Sequence, residues 1–274
     1  MKPNPRKNYG SIGHLPKSRL GPGDHSLSEQ QASILLEKPR DFKDLVIVQE
    51  KLDGANVGVL RHEGRLIGLT RKGHRACDSP MEQFQMFQKF IHANESRFDF
   101  LQEGERVVGE WLAMAHGTRY QIGNNFPFIA FDIMKEDERE TYLNFRLRIG
   151  SKLPVAHLLH IGHPISIRQI EKKIDVRNGE TYGYHGSLEP VEGAVWRVER
   201  EGKVDFLGKY VRQFKEDGKY FSDDHTKLIW NWKPDETSVL PVNNTIDLTK
   251  TDFCKDCKCK LTAEFIKACG GCHE

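Results

Sequence analysis

Leu45-Val46-Ile47-Val48 runs directly into Gln49-Glu50-Lys51-Leu52-Asp53-Gly54, and apolar alternation resumes with Val57 and Val59. A short continuous apolar run, an Asp-Gly turn and a period-two pattern predict a buried strand, a turn and a second strand. The first strand must therefore end with a lysine between two acids, Glu50 and Asp53, at the mouth of a turn. Glycine there lets the backbone approach a neighbour closely.

The rest of the chain reads as more strands than helices. Ser26 or Ser28 can cap a short helix carrying Ile34, Leu35 and Leu36, ending before Pro39. Leu66 to Thr70, Arg106 to Leu112, Pro127 to Met134, Ala194 to Glu199 and Val204 to Gly208 read as further strands. Ser79-Pro80-Met81-Glu82 predicts a helix start with a capping serine and a box-closing glutamate. Phe84, Phe87, Phe90 and Ile91 then recur at helical spacing and read as a core-facing stripe. A further helix is expected from Ser166 to Arg177, stopped by Asn178-Gly179. Without regular strand–helix alternation, the expected class is α+β with mainly antiparallel sheet.

A chain of 274 residues, 38% hydrophobic and 29% charged, can bury one sizeable core plus a small appendage. No apolar run approaches the roughly 20 residues of a membrane helix, so no membrane partner is expected. The N-terminus carries charges with no apolar stretch behind them, and a cytosolic (cytoplasmic) location is the default expectation. Net charge is only +2, yet residues 1–20 hold Lys2, Arg6, Lys7, Lys17 and Arg19 and no acid. Residues 1–25 read as an irregular basic arm, either a phosphate-contacting segment or a solvated tail.

A lysine amine is a nucleophile only when neutral, and its free pKa is roughly 10.4. A site that uses Lys51 must lower that value by burial, a metal or a neighbouring cation. Taken alone, Lys51-x-Asp53-Gly54 reads better as a solvated surface turn. Its company changes the weight: Asn56, Arg71, Gly109-Glu110, Phe128-x-x-Phe131-Asp132, Glu192-Gly193 and Lys209-Tyr210-Val211-Arg212 follow in order. Each falls on a predicted strand or directly beside the end of one.

In that series the chain resembles the lysine-adenylylating nucleotidyltransferases: ATP-dependent DNA ligases, RNA ligases and capping enzymes. Asn56 and the aromatic-rich string from Pro127 to Ile133 are most similar to the RNA ligase branch. The resemblance implies that Lys51 attacks the α-phosphorus of ATP to give lysyl-AMP, with Lys209 on the α-phosphate. It places Asn56 beside the lysine, Arg71 and Glu110 on the ribose side and Phe128 against adenine, where base stacking is worth roughly 1–3 kcal/mol. Glu50 would help read adenine. Glu192 would sit near Mg2+ or Mn2+ through waters. The implied enzyme is an ATP-dependent RNA ligase that joins 5′-phosphate and 3′-hydroxyl ends, in nicked duplex or single strands, as in RNA repair; DNA-containing ends are the variant substrate. The string at 209–212 departs from the RNA ligase pattern of two lysines two apart, and Arg212 is the residue offered as second cation.

Cys254-x-x-Cys257-x-Cys259 and Cys269-x-x-Cys272-His273 crowd the tail. Two such knuckles eleven residues apart are a zinc spacing, with Cys254, Cys257, Cys269 and Cys272 as ligands and Cys259 or His273 as substitutes. Lys250, Lys255, Lys258, Lys260 and Lys267 lie nearby. Composition shifts after Trp232-Lys233-Pro234, so residues 1–235 are expected to form the adenylyltransferase domain and 236–274 a linker and zinc module. Cys77 reads as structural, and His116 as structural or RNA-contacting. A DNA ligase would carry an oligonucleotide-binding barrel after Lys209, a capping enzyme would use GTP, and an inactive RNA-binding protein with a zinc tail is the rival from a different class.

Overall fold

A computed structural model describes Pro3 and residues 7–123, 126–221 and 228–233. The chain divides into two compact units, Met1–Val242 and Asn243–Glu274, and every described residue belongs to the first. The cysteine tail and the expected boundary at 235/236 lie outside the described residues. Among these residues no helix is long and apolar enough to cross a membrane.

In chain order the elements are β1 (Gly13–His14), α1 (Glu29–Leu36), β2 (Asp44–Lys51), β3 (Ala55–His62) and β4 (Arg65–Thr70). Next come α2 (Glu82–Ala93), β5 (Glu105–Trp111), β6 (Phe128–Lys135), β7 (Glu138–Arg139), α3 (Tyr142–Ile149), β8 (Leu158–Gly162) and α4 (Ile167–Ile174). The last are β9 (Arg177–Asn178), β10 (Thr181–Tyr182), β11 (Gly193–Arg200) and β12 (Lys203–Val211). They form a mixed α/β fold with mostly antiparallel sheets. One five-stranded sheet has the order β1-β12-β11-β2-β8, and a second has the order β4-β3-β5-β6-β7. Only the β1–β12 pair is parallel among these.

Strand β2 explains its own sequence. Ile47 joins the core of the second sheet with Val57, Val59 and Val107, while Val46 and Val48 join the other core with Trp196 and Val198. Alternate residues thus face different apolar layers, so the run is apolar throughout. β2 and β3 follow one another within a few residues yet lie in different sheets; the Asp53-Gly54 turn carries the chain across.

Helix α1 is capped by Ser28, whose hydroxyl accepts from Gln31 N–H in a capping box. Helix α4 is capped the same way by Ser166 and Gln169, and buries Ile170 and Ile174. Helix α2 differs from expectation. Met81 is its N-cap with no side-chain bond, because Ser79 accepts from Met81 N–H one turn too early to close a box. Its stripe is core: Phe87, Phe90 and Ile91 are buried against Trp111 and Phe128. The basic arm is also corrected. Residues 8–27 form a strap rather than an irregular tail: His14 pairs with Lys209 on β12, and Leu27 N–H donates to His14 C=O at 2.9 Å. Tyr9 is buried and donates to Asp132 at 2.7 Å.

A methyl group on Gly193 would lie 1.8 Å from the Tyr210 carbonyl oxygen. The β11–β12 register therefore admits only glycine there. Gly193→Ala is expected to destabilise the fold by about 2–4 kcal/mol, read as a lowered urea midpoint; an unchanged midpoint would contradict that register.

Candidate active site

The two sheets meet at a cleft of about 1240 Å³ lined by residues from both. From the first sheet come Glu50 and Lys51 at the end of β2, Glu192 immediately before β11, and Lys209 on β12. The second sheet supplies Asn56 on β3, Glu110 on β5 and Phe131 on β6, with Arg71 just past β4. Asn56 and Glu110 are direct cross-strand partners, so their side chains share one face of the sheet.

Lys51 Nζ lies 2.6 Å from Glu192 Oε2 and 3.4 Å from the Leu52 carbonyl. Glu110 accepts from Gly54 N–H at 3.1 Å, and Asp53 accepts from the Thr118 hydroxyl at 2.8 Å. Tyr120 OH accepts from Asp53 N–H at 2.9 Å. A methyl group on Gly54 would lie 2.6 Å from the Trp111 carbonyl oxygen, which is why the turn needs glycine.

Electrostatics bind the cluster together. Burial pulls the Lys51 pKa down, but Glu192, Glu110 and Asp53 together outweigh it and hold the ammonium above the ordinary lysine range. Burial pushes Glu110 and Glu192 upward, with Lys51 opposing in both cases. At 2.6 Å the Lys51–Glu192 contact is a charged hydrogen bond, with Lys51 as an ammonium. Lys209 shifts the other way; burial and the Lys51 charge lower it, against Asp24, whose carboxylate lies 3.3 Å from Nζ. Asp24 also meets His14 Nε2 at 3.0 Å.

Glu50 faces a different wall. It accepts from Tyr184 N–H at 3.1 Å, and its other oxygen is buried without a partner. Burial pushes its carboxyl up to about 8.

The structure brings Glu50, Lys51, Asn56, Arg71, Glu110, Glu192 and Lys209 to one cleft. It does not bring Phe128. That ring is fully buried against Phe87 and Phe98, and Phe131, edge-on to Tyr9 at 5.2 Å, lines the cleft instead. Residues three apart on a strand point to opposite faces, so only one of the two rings can reach the cleft. Arg212 is likewise diverted: it pairs with Asp175 at 2.6 Å. His116 lines the cleft edge-on to Phe221, and Cys77 is exposed rather than built into a core. Sequence reading missed His14, Asp24, Val195 and Phe221; an acid or histidine in an arm carries no periodic signal. Among the described residues no group of three or more His, Cys, Asp or Glu is arranged to hold a metal ion. Cys254, Cys257, Cys259, Cys269, Cys272 and His273 lie outside the described residues.

A family model described as RNA ligase matches residues 44–211. That stretch is more than half of the chain and contains Lys51, Glu110, Glu192 and Lys209: the chain belongs to the RNA ligase family. No curated protein sequence matches it. Among solved structures, an archaeal ATP-dependent RNA ligase is 19% identical with a TM-score of 0.44, covering 73% of this chain and 48% of that one. A putative ATP-dependent DNA ligase from Aquifex aeolicus is 16% identical at TM-score 0.43, covering 74% and 49%. A Naegleria gruberi RNA ligase mutant with AMP and Mn is 14% identical at TM-score 0.45, covering 76% and 61%. The chain thus spans about half to three fifths of the length of these proteins.

The Glu50 carboxyl keeps its proton in the fold up to about pH 8, whereas an unfolded glutamate loses it near pH 4.3 (roughly). The folded state binds the extra proton across that window, so this group's contribution falls as pH rises through it. Glu50→Gln cannot ionise. It is expected to match the wild type near pH 4 (about) and to gain on the order of 2 kcal/mol near pH 8, read from urea midpoints. A difference that does not vary with pH would mean that Glu50 is ionised in the fold.

Proposed function

We propose that the chain is an ATP-dependent RNA ligase that works through lysyl-AMP. The observation that carries this reading is the Lys51 ammonium, 2.6 Å from Glu192, in a cleft also lined by Glu110, Asn56, Arg71 and Lys209. Phosphoryl transfer asks mainly for positioning and for cations on the non-bridging oxygens. Membership of the RNA ligase family supports the choice of substrate class.

In the first step Lys51 Nζ attacks the α-phosphorus of ATP, a P–N bond forms and pyrophosphate leaves. Nζ must first lose a proton, and Glu192, 2.6 Å away, is within reach to relay it to solvent and return to its ionised form. Lys209 would meet the α-phosphate, exchanging its Asp24 contact for phosphate oxygens. Arg71 and Glu110 would contact the ribose, with Asn56 beside the lysine. Phe131 replaces Phe128 as the ring for adenine, and Glu50 offers its unpartnered oxygen to the base edge. A 5′-phosphate end then takes the AMP from Lys51. The 3′-hydroxyl of a second end attacks that phosphate, a phosphodiester bond forms, and AMP departs.

Glu192 is the residue that would hold a magnesium or manganese ion. It loses its cationic partner when Lys51 becomes neutral, and a lone carboxylate suits an ion that keeps most of its own water. Such an ion would supply positive charge for the phosphate oxygens. Asn56, the aromatic-rich string from Pro127 to Ile133 and the RNA ligase family match favour RNA ends over DNA ends. GTP-dependent capping is a possible outcome of the test.

Incubation with α-labelled ATP and a divalent metal, followed by a denaturing gel, is expected to label the wild-type chain. Lys51→Ala is expected to lose the band entirely. A band that survives the substitution removes the proposal, and labelling by GTP in place of ATP points to capping. For the tail, metal analysis of the full chain is expected to find about one zinc, held at high affinity by four thiolates. Paired replacement of Cys254 and Cys257 by serine is expected to abolish it. Zinc retained by that variant would exclude these ligands.

A further inference from the structure

Arg212 is turned away to Asp175. A different basic residue reaches the Asp53 turn. Lys215 follows β12, is only 6% exposed, and does not line the cleft. Its Nζ donates to the Thr118 hydroxyl at 2.8 Å, and Thr118 donates in turn to Asp53 Oδ2 at 2.8 Å. A buried ammonium is costly unless its charge is answered. The charges that answer it are Asp53, Glu192 and Glu189, against Arg212. Burial still lowers its pKa overall. No step described above uses this group.

We propose that Lys215 is a positioning residue: through Thr118 it pins Asp53, and through Asp53 it holds the turn that aims Lys51. Three segments converge to make that pin. Lys215 comes from the loop after β12, Thr118 from the loop after β5, and Asp53 from the β2–β3 turn. The turn is braced from other sides as well: Asp53 N–H donates to Tyr120 and Gly54 N–H to Glu110. Lys215 adds the charged member of that set. Its hydrogen-bond chain also occupies Asp53 Oδ2, which fixes the carboxylate beside the nucleophile's turn rather than leaving it to rotate.

The catalytic part of this inference rests on the ligase reading, so its test carries one readout that needs no activity. In full-length protein, amide hydrogen exchange across residues 51–56 is expected to speed up about tenfold in Lys215→Met and in Thr118→Val, and to stay at the wild-type rate in Lys215→Arg. Single-turnover lysyl-AMP formation at saturating ATP is expected to fall about 30- to 100-fold in Lys215→Met, since small misplacements cost that much. The ATP concentration giving half the rate is expected to stay within about threefold, the signature of a group that acts on the reaction rather than on nucleotide binding. Lys215→Arg is expected to recover to within about fivefold. The double variant Lys215→Met/Thr118→Val is expected to be no slower than Lys215→Met, because the two residues act as one chain. If Lys215→Met does not fold, Thr118→Val carries both readouts, as it removes the hydroxyl that accepts from Lys215 and donates to Asp53 at nearly constant shape.

Unchanged exchange in both single variants would overturn the proposal. So would an arginine variant as impaired as the methionine one, or fully additive losses in the double variant, since either result reduces Lys215 to a space-filling role. A wild-type chain that takes no label overturns the ligase reading instead, and the exchange measurement still decides the role of Lys215.

Discussion

Everything in the cleft depends on how the chain leaves one sheet and enters the other. β2 ends at Lys51 and β3 begins at Ala55, in different sheets. The intervening turn packs so closely on β5 that a side chain at Gly54 would strike the Trp111 carbonyl. That crossing puts the lysine of one sheet opposite the carboxylate of the other. Glu110 then seals the junction by accepting from Gly54 N–H. The Lys51 amine is therefore placed at the sheet junction and held there by Glu192 and the Leu52 carbonyl.

A second consequence is electrostatic. An ammonium half-buried among Glu192, Glu110 and Asp53 is held in its protonated form, the opposite of what a nucleophile needs. The lowering that sequence reasoning demands of Lys51 is reversed by these three carboxylates. Nucleotide phosphates and a divalent ion would change that balance by engaging the carboxylates and bringing charge of both signs. Lys209, lowered by burial and by its neighbour Lys51, is restrained by Asp24 from the strap. Lys51 and Lys209 thus each rest on a carboxylate.

Much of this was legible in the chain itself. The strands on either side of Lys51, the serine caps of α1 and α4, and the aromatic face of α2 follow from local rules that burial and hydrogen bonding enforce within a few residues. Short elements were harder: α3, β8 and the β9–β10 pair carry weak periodicity. The capping box at Ser79 failed because a cap depends on where the helix starts, and packing of α2 set that start at Glu82. The strap was misread for a similar reason. Its Gly and Pro content signals irregular backbone, yet Tyr9, His14 and Leu15 are buried through contacts with residues more than a hundred positions away.

The sequence by itself determined which chemistry the chain can attempt, because an ordered set of lysine, glutamates and glycines is a property of composition and spacing. It also determined most of the strands, whose alternation records which residues must leave water. Only the tertiary structure decided which of two phenylalanines enters the cleft, which basic residue stands beneath the Lys51 turn, and that an N-terminal aspartate answers Lys209. Those outcomes depend on strand register and on loops meeting across two sheets, and such long-range proximity leaves no local trace in the order of residues.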